Sequence, residues 1–504
     1  MQEQELHDQL NKIRANIKNN NLVEAKLLLD VIMSDKTVSN NINFILEQGQ
    51  YLLACQNFKE SEKWLKKVLL IEKNNIYAIE GLIKISCALK DYSSVAEYIK
   101  MITENTISHS EIIISDVINK LIEQLFEHKN KKNGIENTKK IIEILYFYNN
   151  FIKERKIKNI VINEYEILEN KTILQSKPRM LIVSMTSRCN IKCEMCSIPY
   201  KHWDFPKNRI KEIFNLIPYL HTILWHGGEP FLYNEIDDLI VEAGKYNVKQ
   251  VISTNGLLLN SERIKKIINS KVELNISIHG LTKQVYENIH HGAKFETLLS
   301  NLETLKYIKE QNNIKMRYGL KFLVMKSNYK QLEYLYDFVN KYGFNHVYIN
   351  TLGADTVNSE NFLYHFSDNE ILKNVVYMSN ELSNKFKKAG IFYEAWLPAI
   401  EDNNNLINSQ EKLGVDNDDV QEKFCCYIPW ESLYIDVEGN IRNGCNCNNL
   451  IIGNINNENL ENVWNNEEII EIRKNIINNG FDNRCSEDCK NGRILKEYLK
   501  NPVN

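Results

Sequence analysis

The sequence predicts an α/β protein that carries an N-terminal all-α domain of helical repeats and a small C-terminal, cysteine-rich α+β domain. Three observations lead to this prediction: apolar runs alternate with helical patterns in the middle of the chain, a pattern recurs in the first 165 residues, and six cysteines lie between residues 425 and 489. We expect domains at residues 1–170, 171–390 and 391–504, in keeping with roughly 150 residues per domain.

The middle of the chain alternates strand and helix patterns. Apolar, β-branched runs occupy residues 181–183, 222–225, 248–254 and 272–278, and a fifth strand is predicted at 315–325. Helical patterns follow most of these runs, as at residues 235–246 and 261–270. Such alternation predicts βαβ units and a parallel sheet. Polar and glycine residues stand at the carboxyl ends of the strands, where an α/β barrel carries its active site.

Three cysteines, Cys189, Cys193 and Cys196, directly follow the first predicted strand. This spacing places three thiolates on one short loop, close enough to hold a single inorganic cluster. Three thiolates on a four-iron cube leave one iron without a protein ligand, which makes that iron available for chemistry. A zinc-binding loop or free buried thiols remain the alternatives.

Together with two further motifs, this loop resembles the radical S-adenosylmethionine (SAM) enzymes over residues 176–355. The motifs are Cys189-x-x-x-Cys193-x-x-Cys196, Gly227-Gly228-Glu229-Pro230 and Ser277-x-x-Gly280. The resemblance implies a partial (β/α)6 TIM-like barrel. It also implies that the three cysteines ligate a 4Fe–4S cluster, whose open iron takes the amino and carboxylate groups of SAM.

The same resemblance implies roles for residues at the strand ends. The backbone around Gly227, Gly228 and Glu229 would hold the methionine amino group, and Asn255 and Ser277 would lie near the ribose and carboxylate. Glycine is expected at the first two positions because a backbone without Cβ can approach a ligand closely.

Three positions depart from the family pattern. Met195 replaces an aromatic residue and can still pack beside an adenine, His279 replaces an acid, and His291 stands where an arginine is common. We expect both histidines to be ordinary surface or capping residues. Tyr318 and Lys321, on the predicted fifth strand, either reach the barrel cavity or are simply polar positions of that strand.

The six C-terminal cysteines resemble the SPASM or twitch extension of many peptide- and protein-modifying radical SAM enzymes. Two fully cysteine-ligated clusters would need eight thiolates, so one auxiliary 4Fe–4S cluster is favoured. We predict Cys426, Cys445, Cys485 and Cys489 as its ligands. Cys447 competes with Cys445 for one position, the role of Cys425 stays open, and a four-thiolate zinc ribbon is the alternative.

The N-terminal third lacks proline up to residue 165 and repeats a helical pattern. Asn21-Leu22, Asn57-Phe58 and Asp91-Tyr92 begin equivalent segments at offsets of 36 and 34 residues, near the tetratricopeptide (TPR) period. A generic helical bundle is the alternative. A solenoid of this kind offers a concave face on which a protein or peptide substrate could dock. An exposed connection is expected at residues 171–177.

Composition excludes several classes of function. The net charge is −3 with acids and lysines interspersed, so nothing indicates a nucleic-acid partner. The sequence contains no run of about 18 apolar residues, so it predicts no membrane span. Residues 1–20 lack an apolar signal core, and eleven cysteines in such a chain suggest metal or redox ligands, so we expect a cytoplasmic protein.

The resemblance implies the reaction class. One electron, from a donor such as flavodoxin or ferredoxin, would cleave SAM to methionine and a 5′-deoxyadenosyl radical, which abstracts hydrogen from a peptide or protein substrate. Modification of a sugar or another small, possibly carrier-bound, molecule is the first alternative. A non-enzymatic, metal-stabilised scaffold is the second. No catalytic protein residue is assigned, because the cofactor carries the radical chemistry.

Overall fold

The computed structural model divides into two compact units, Met1–Glu169 and Asn170–Asn504. It describes residues 3–35, 38, 40–104, 110–128, 135–198, 202–352, 358–361, 369–397, 400–402, 405–407, 426–444, 447 and 450–486. The predicted ligands Cys445 and Cys489, and also Cys425, lie outside these residues. The domain boundary predicted at residue 390 stays a prediction.

The first unit is built from helices. They are α1 (Glu3–Lys18), α2 (Leu22–Met33), α3 (Ile42–Ala54), α4 (Phe58–Ile71), α5 (Ile76–Leu89), α6 (Tyr92–Glu104), α7 (Ser110–His128), α8 (Ile135–Phe147) and α9 (Arg155–Leu168). Helices α2, α4 and α6 begin directly after Asn21, Asn57 and Asp91, as the repeat predicted. The helical repeat is thus confirmed.

Packing explains why the pattern recurs. Equivalent residues of the three helices are fully buried, namely Ala25, Ser61 and Val95. Leu65 on α4 fills the space beside two glycines: a Cβ on Gly49 or on Gly81 would lie 2.6 Å from a Leu65 methyl carbon. The equivalent positions of the repeat are therefore those at which neighbouring helices pack closely.

The second unit is organised around one sheet. Its barrel strands are β1 (Met180–Thr186), β3 (Thr222–Gly227), β4 (Lys249–Thr254), β5 (Val272–Ser277), β7 (Tyr318–Val324), β8 (His346–Thr351) and β9 (Phe392–Trp396). Each is parallel to its neighbour. The remaining strands are β2 (Lys192–Cys193), β6 (His290–His291), β10 (Ile400–Asp402), β11 (Asn405–Ile407), β12 (Ser432–Ile435), β13 (Asn440–Arg442) and β14 (Gly453–Asn454).

Helices follow the barrel strands and cover one face of the sheet. They are α10 (Ile210–Leu216), α11 (Ile236–Lys245), α12 (Ser261–Ile267), α13 (Lys283–Ile289), α14 (Phe295–Gln311), α15 (Leu332–Tyr342) and α16 (Asn369–Lys388), followed by α17 (Ile428–Glu431), α18 (Leu460–Val463) and α19 (Glu467–Asn479). The predicted partial α/β barrel is confirmed. In the described part of the chain, every helix is too short or too polar to cross a lipid bilayer.

The two faces of the sheet differ in polarity. On the outer face, Trp225 and Gln250 are buried, and the Gln250 amide donates to the carbonyl of Ile240 on α11 at 2.8 Å. The opposite face carries polar residues in register; we call it the inner face, and it comprises Ser184, His226, Ser253, Asn275, Ser277, Lys321 and Tyr348. Burial in β4 alternates accordingly between buried outer and half-buried inner positions.

The C-terminal strands continue this sheet. Strand β12 pairs with β1 in parallel, with Met180 opposite Ser432, and β13 and β14 follow in antiparallel order. Strand β12 thus covers the edge of β1, which would otherwise present unpaired backbone groups.

The expectation of an exposed connection at residues 171–177 is met only in part, since Ile173 and Gln175 are exposed. Leu174 and Ser176 are buried, and the indole of Trp464 donates to the Ser176 carbonyl at 2.7 Å. The guanidinium of Arg473, itself fully buried, donates to the Thr172 carbonyl at 2.8 Å. Donors from the C-terminal helices therefore hold this segment, a long-range contact that local composition does not report.

Candidate functional site

A polar network positions the cysteine loop where β1 ends. The Thr186 hydroxyl donates to Asp204 at 2.5 Å and accepts the backbone N–H of Arg188 at 3.0 Å. The Arg188 guanidinium donates to the same carboxylate at 2.9 Å and to the carbonyl of Leu232 at 3.1 Å. These hydrogen bonds hold both the backbone and the side chain of Arg188, the residue directly before Cys189. Sequence reasoning missed both Arg188 and Asp204. Arg188 could have been noticed because it directly precedes Cys189, whereas no local pattern pointed to Asp204.

The glycine pair serves the fold of this loop. A Cβ on Gly227, whose φ is +117°, would lie 2.3 Å from the carbonyl oxygen of Thr186, and one on Gly228 would lie 2.1 Å from that of Arg188. The N–H groups of Gly228 and Glu229 donate to these same two carbonyls at 2.7 and 2.8 Å. Glycine was expected here so that a ligand could approach closely. In the structure, the groups that approach the two glycines are the backbone carbonyls of Thr186 and Arg188.

Glu229 joins the glycine turn to the end of β4. Its fully buried carboxylate accepts from the Thr254 hydroxyl and the Asn255 backbone N–H, each at 2.8 Å, and from the Phe231 N–H at 3.3 Å. Burial raises the pKa of this carboxyl group, while these hydrogen bonds act to lower it. The Asn255 amide in turn donates to Asn190 at 2.8 Å and lies 3.8 Å from the Cys189 sulfur. The ligand contacts predicted for Glu229 and Asn255 stay predictions.

Histidine 290 contacts the middle cysteine. Strands β2 and β6 pair antiparallel, with Cys193 opposite His290, and Nδ1 of that ring lies 3.1 Å from the Cys193 sulfur. The other nitrogen, Nε2, accepts the backbone N–H of His279 at 3.3 Å. Because Nε2 is an acceptor, the proton of the neutral ring stands on Nδ1 and points at the sulfur. Sequence reasoning missed His290. It is 97 residues from Cys193 along the chain, and the strands that pair them are only two residues long, so no local pattern indicates the contact.

The loop fits an iron–sulfur cluster. All three thiols are free, with Cys189 and Cys196 exposed and Cys193 half-buried. Burial, together with the charges of the other two cysteines, raises the pKa of Cys193 to about 12, so the three lie within electrostatic reach of one another. No group of three or more His, Cys, Asp or Glu among the described residues is arranged around a single metal ion. A four-iron cluster would place each of these thiolates on a different iron.

Other predicted residues are placed as follows. Ser277 ends β5 opposite Lys321, and His291 is exposed, 3.1 Å from Glu194. The expectation that His279 is a surface residue is wrong: its buried ring accepts the Leu323 N–H at 3.0 Å. Tyr318 is buried on the outer face, stacked on an aromatic neighbour with 4.1 Å between ring centroids, so it does not reach the barrel cavity. Met195 packs beside a small buried cluster that includes Met325 and Leu352.

Three of the C-terminal cysteines fall in the described residues. Cys426, Cys447 and Cys485 are half-buried. Between the first two, the β12–β13 hairpin is closed by Asp436, whose carboxylate accepts the backbone N–H groups of Glu438 and Asn440 at 2.8 and 2.9 Å. The ligand set of an auxiliary cluster stays a prediction.

Comparison with protein families identifies two domains. The radical SAM superfamily model matches residues 183–311, which include the three-cysteine loop, the glycine turn and strands β3 to β5. The SPASM model, described as an iron–sulfur cluster-binding domain, matches residues 425–491, which include all six C-terminal cysteines.

Curated relatives match part of the chain. It is 32% identical over 165 residues to a tungsten-containing aldehyde ferredoxin oxidoreductase cofactor-modifying protein of Pyrococcus furiosus, covering 31% of this chain and 46% of the relative. It is 26% identical over 174 residues to the Fe-coproporphyrin III synthase of Methanosarcina barkeri, covering 33% and 42%. The chain thus spans less than half the length of these relatives.

Among solved structures, SuiB of Streptococcus suis bound to S-adenosylmethionine aligns with a TM-score of 0.48 at 17% identity, covering 70% of this chain and 83% of SuiB. SuiB bound to its precursor peptide SuiA aligns with a TM-score of 0.47 at 16% identity, covering 62% and 70%. From the two family matches, the chain contains a radical SAM domain followed by an iron–sulfur cluster-binding SPASM domain, and its cofactors are 4Fe–4S clusters and S-adenosylmethionine.

Proposed function

We propose that this protein cleaves S-adenosylmethionine reductively and abstracts a hydrogen atom from a peptide or protein substrate. The proposal joins two features: a radical SAM domain followed by a SPASM domain, and a separate helical-repeat unit. The observation that carries the peptide assignment is an apolar stripe on α2. Val23, Leu27 and Val31 are 76%, 57% and 54% exposed and recur every four residues, so they share one face of the helix. Such a face suits an apolar segment of a partner chain.

The protein's own residues would hold and shield the cofactor. Cys189, Cys193 and Cys196 would ligate the cluster, and the glycine turn with Asn255 and Ser277 would border bound SAM. When bound, the cluster and SAM together supply the one-electron chemistry that yields a 5′-deoxyadenosyl radical. Cys426, Cys485 and Cys489, with Cys445 or Cys447, would ligate one auxiliary 4Fe–4S cluster. We further propose a cytoplasmic location and a flavodoxin- or ferredoxin-like electron donor.

A second candidate substrate is a small molecule. The names of two relatives, a cofactor-modifying protein and an Fe-coproporphyrin III synthase, support it, as does a third relative named GTP 3′,8-cyclase. These relatives align with this chain over a quarter to a third of its length.

The proposed chemistry is tested on anaerobically reconstituted, full-length protein. With dithionite and SAM, we expect 5′-deoxyadenosine by liquid chromatography and about eight irons per chain, as two four-iron clusters require. Replacing Cys189, Cys193 and Cys196 by alanine should remove the product and about four irons. Product formation by the triple variant would reject the assignment, and tightly bound zinc without SAM cleavage would support the metal-stabilised scaffold.

The substrate class is tested with a short peptide encoded next to the gene. We expect such a peptide to change mass in the reaction and to stimulate 5′-deoxyadenosine formation. Replacing Val23, Leu27 and Val31 by serine should raise the KM for the peptide about tenfold while leaving peptide-free SAM cleavage unchanged. Tyr307→Ser, an equally exposed residue of the barrel unit, is the matched control and should leave the KM unchanged. An unchanged KM in the triple serine variant would argue against docking on α2.

A further inference from the structure

A lysine on the inner face carries a charge that the neighbouring protein does not neutralise directly. Lys321, at the centre of β7, is half-buried, and its ammonium donates to the Ser253 hydroxyl at 3.0 Å. Within the described part of the chain, no carboxylate lies within 4.0 Å of this ammonium. Burial lowers the pKa of Lys321, with Glu273 acting in the opposite direction.

The acid nearest in the network already has partners. The buried carboxylate of Glu273 accepts from the Arg317 guanidinium at 3.2 Å, from the Tyr348 hydroxyl at 3.1 Å and from the Asn275 amide at 3.3 Å. These donors supply one positive charge and two neutral hydrogen bonds, so Glu273 is balanced without Lys321. Among the described residues, the Lys321 ammonium therefore has no ion-pair partner of its own.

Other polar atoms of the same face lack partners. The Ser184 hydroxyl and the Asn275 side-chain oxygen are buried and make no hydrogen bond, on residues that are 0% and 4% exposed. The Asn275 oxygen occupies the space beside Gly319, where a Cβ would lie 2.2 Å from it. His226 lies opposite Ser184, and both burial and the charge of Lys321 lower its pKa.

A half-buried lysine without an ion pair and a buried hydroxyl without a hydrogen bond destabilise a folded protein unless a ligand compensates them. We propose that the inner face is a substrate subsite that binds a carboxylate, with Lys321 as its positive partner and Ser253 holding that ammonium in place. One ammonium without an ion pair balances a single negative charge, which matches a carboxylate better than a phosphate dianion. This inference rests on the proposed peptide substrate, and it assigns to that substrate an aspartate or glutamate side chain, or a free C-terminus, that enters the barrel.

The test compares two probes on reconstituted, SAM-bound, full-length protein by calorimetry. N-acetylglutamate α-amide carries the carboxylate, and N-acetylglutamine α-amide is its neutral counterpart. We expect wild-type protein to bind the first probe at least tenfold more tightly than the second. Lys321→Met should abolish this preference, and Lys321→Arg should retain part of it. Because Lys321→Met removes a half-buried charge that has no ion pair, the Tm of this variant should equal or exceed that of the wild type.

The outcomes separate this inference from the proposed function. Loss of the preference in Lys321→Met, with SAM affinity and peptide-free SAM cleavage within twofold of wild type, supports the subsite. Equal affinity of wild-type protein for both probes overturns it. A tenfold loss of SAM affinity in Lys321→Met, with the probe preference kept, also overturns it, because the lysine would then serve the carboxylate of SAM. Absence of 5′-deoxyadenosine from the wild type would refute the proposed function itself.

Discussion

The substitution Gly228→Ala should disable the cluster loop through a single added methyl group. That Cβ would lie 2.1 Å from the carbonyl oxygen of Arg188 and 2.8 Å from that of Ser187, both of them backbone atoms. Relief of the overlap requires the loop to move by roughly 1 Å, since carbon–oxygen contacts below about 3 Å are repulsive. The movement would break two hydrogen bonds, from the N–H groups of Gly228 and Glu229 at 2.7 and 2.8 Å.

At about 1 kcal/mol for each of the two hydrogen bonds and 1–3 kcal/mol for overpacking, we expect Gly228→Ala to lower the free energy of unfolding by about 3–5 kcal/mol. Since Arg188 precedes Cys189 directly, the same movement displaces a predicted cluster ligand. Denaturant unfolding of the iron-free protein measures the first effect. Iron content after reconstitution and 5′-deoxyadenosine formation measure the second, and we expect a loss of about four irons per chain and at least a hundredfold loss of product.

A control substitution separates loop displacement from general instability. Gly49→Ala places its Cβ 2.6 Å from a Leu65 methyl carbon in the helical unit, a comparable overlap with a flexible side chain. It should reduce stability while leaving iron content and peptide-free SAM cleavage intact. A Gly228→Ala protein with full iron content and normal 5′-deoxyadenosine formation would refute the reasoning.

Three further predictions follow from buried polar contacts. Arg473→Met should lower the free energy of unfolding by about 3 kcal/mol, because it leaves buried carbonyls, including that of Thr172, without donors; an unchanged urea midpoint would contradict this. The Arg484 guanidinium lowers the pKa of Asp482 to about 2. The ionised Asp482 carboxylate therefore stabilises the fold fully above the unfolded pKa near 3.9, and this stabilisation is lost as the pH falls through about 2. The difference in free energy of unfolding between wild type and Asp482→Asn, measured on iron-free protein, should shrink over that interval. His290→Phe removes the N–H that points at the Cys193 sulfur. If that bond favours the reduced cluster by about 1.4 kcal/mol, the midpoint potential should become about 59 mV more negative in an EPR-monitored titration, and an unshifted potential would exclude the bond.

Local patterns were enough to predict the barrel strands. The apolar runs at residues 222–225 and 272–278 correspond to β3 (Thr222–Gly227) and β5 (Val272–Ser277), because strand and helix periodicities are properties of neighbouring residues. The three-cysteine loop and the glycine turn were likewise recognisable, since their chemistry depends on close spacing. The helical repeat could be read from its 34- and 36-residue offsets for the same reason.

Pairings between distant segments could not be read this way. The contact of His290 with Cys193 arises from the β2–β6 ladder, and the burial of Ser176 arises from Trp464. Neither contact alters local composition, so His290 was missed and Ser176 was expected in an exposed segment.

The sequence by itself determined the element types, the cysteine chemistry and the presence of two cofactor-binding domains, because each depends on residues within a few turns or one loop. Tertiary structure alone decided which carbonyls the two glycines accommodate, which histidine faces a cysteine and which lysine is left without an ion pair inside the barrel. These are outcomes of strand order and register, and a shift of one residue in register would place every side chain of a strand on the opposite face.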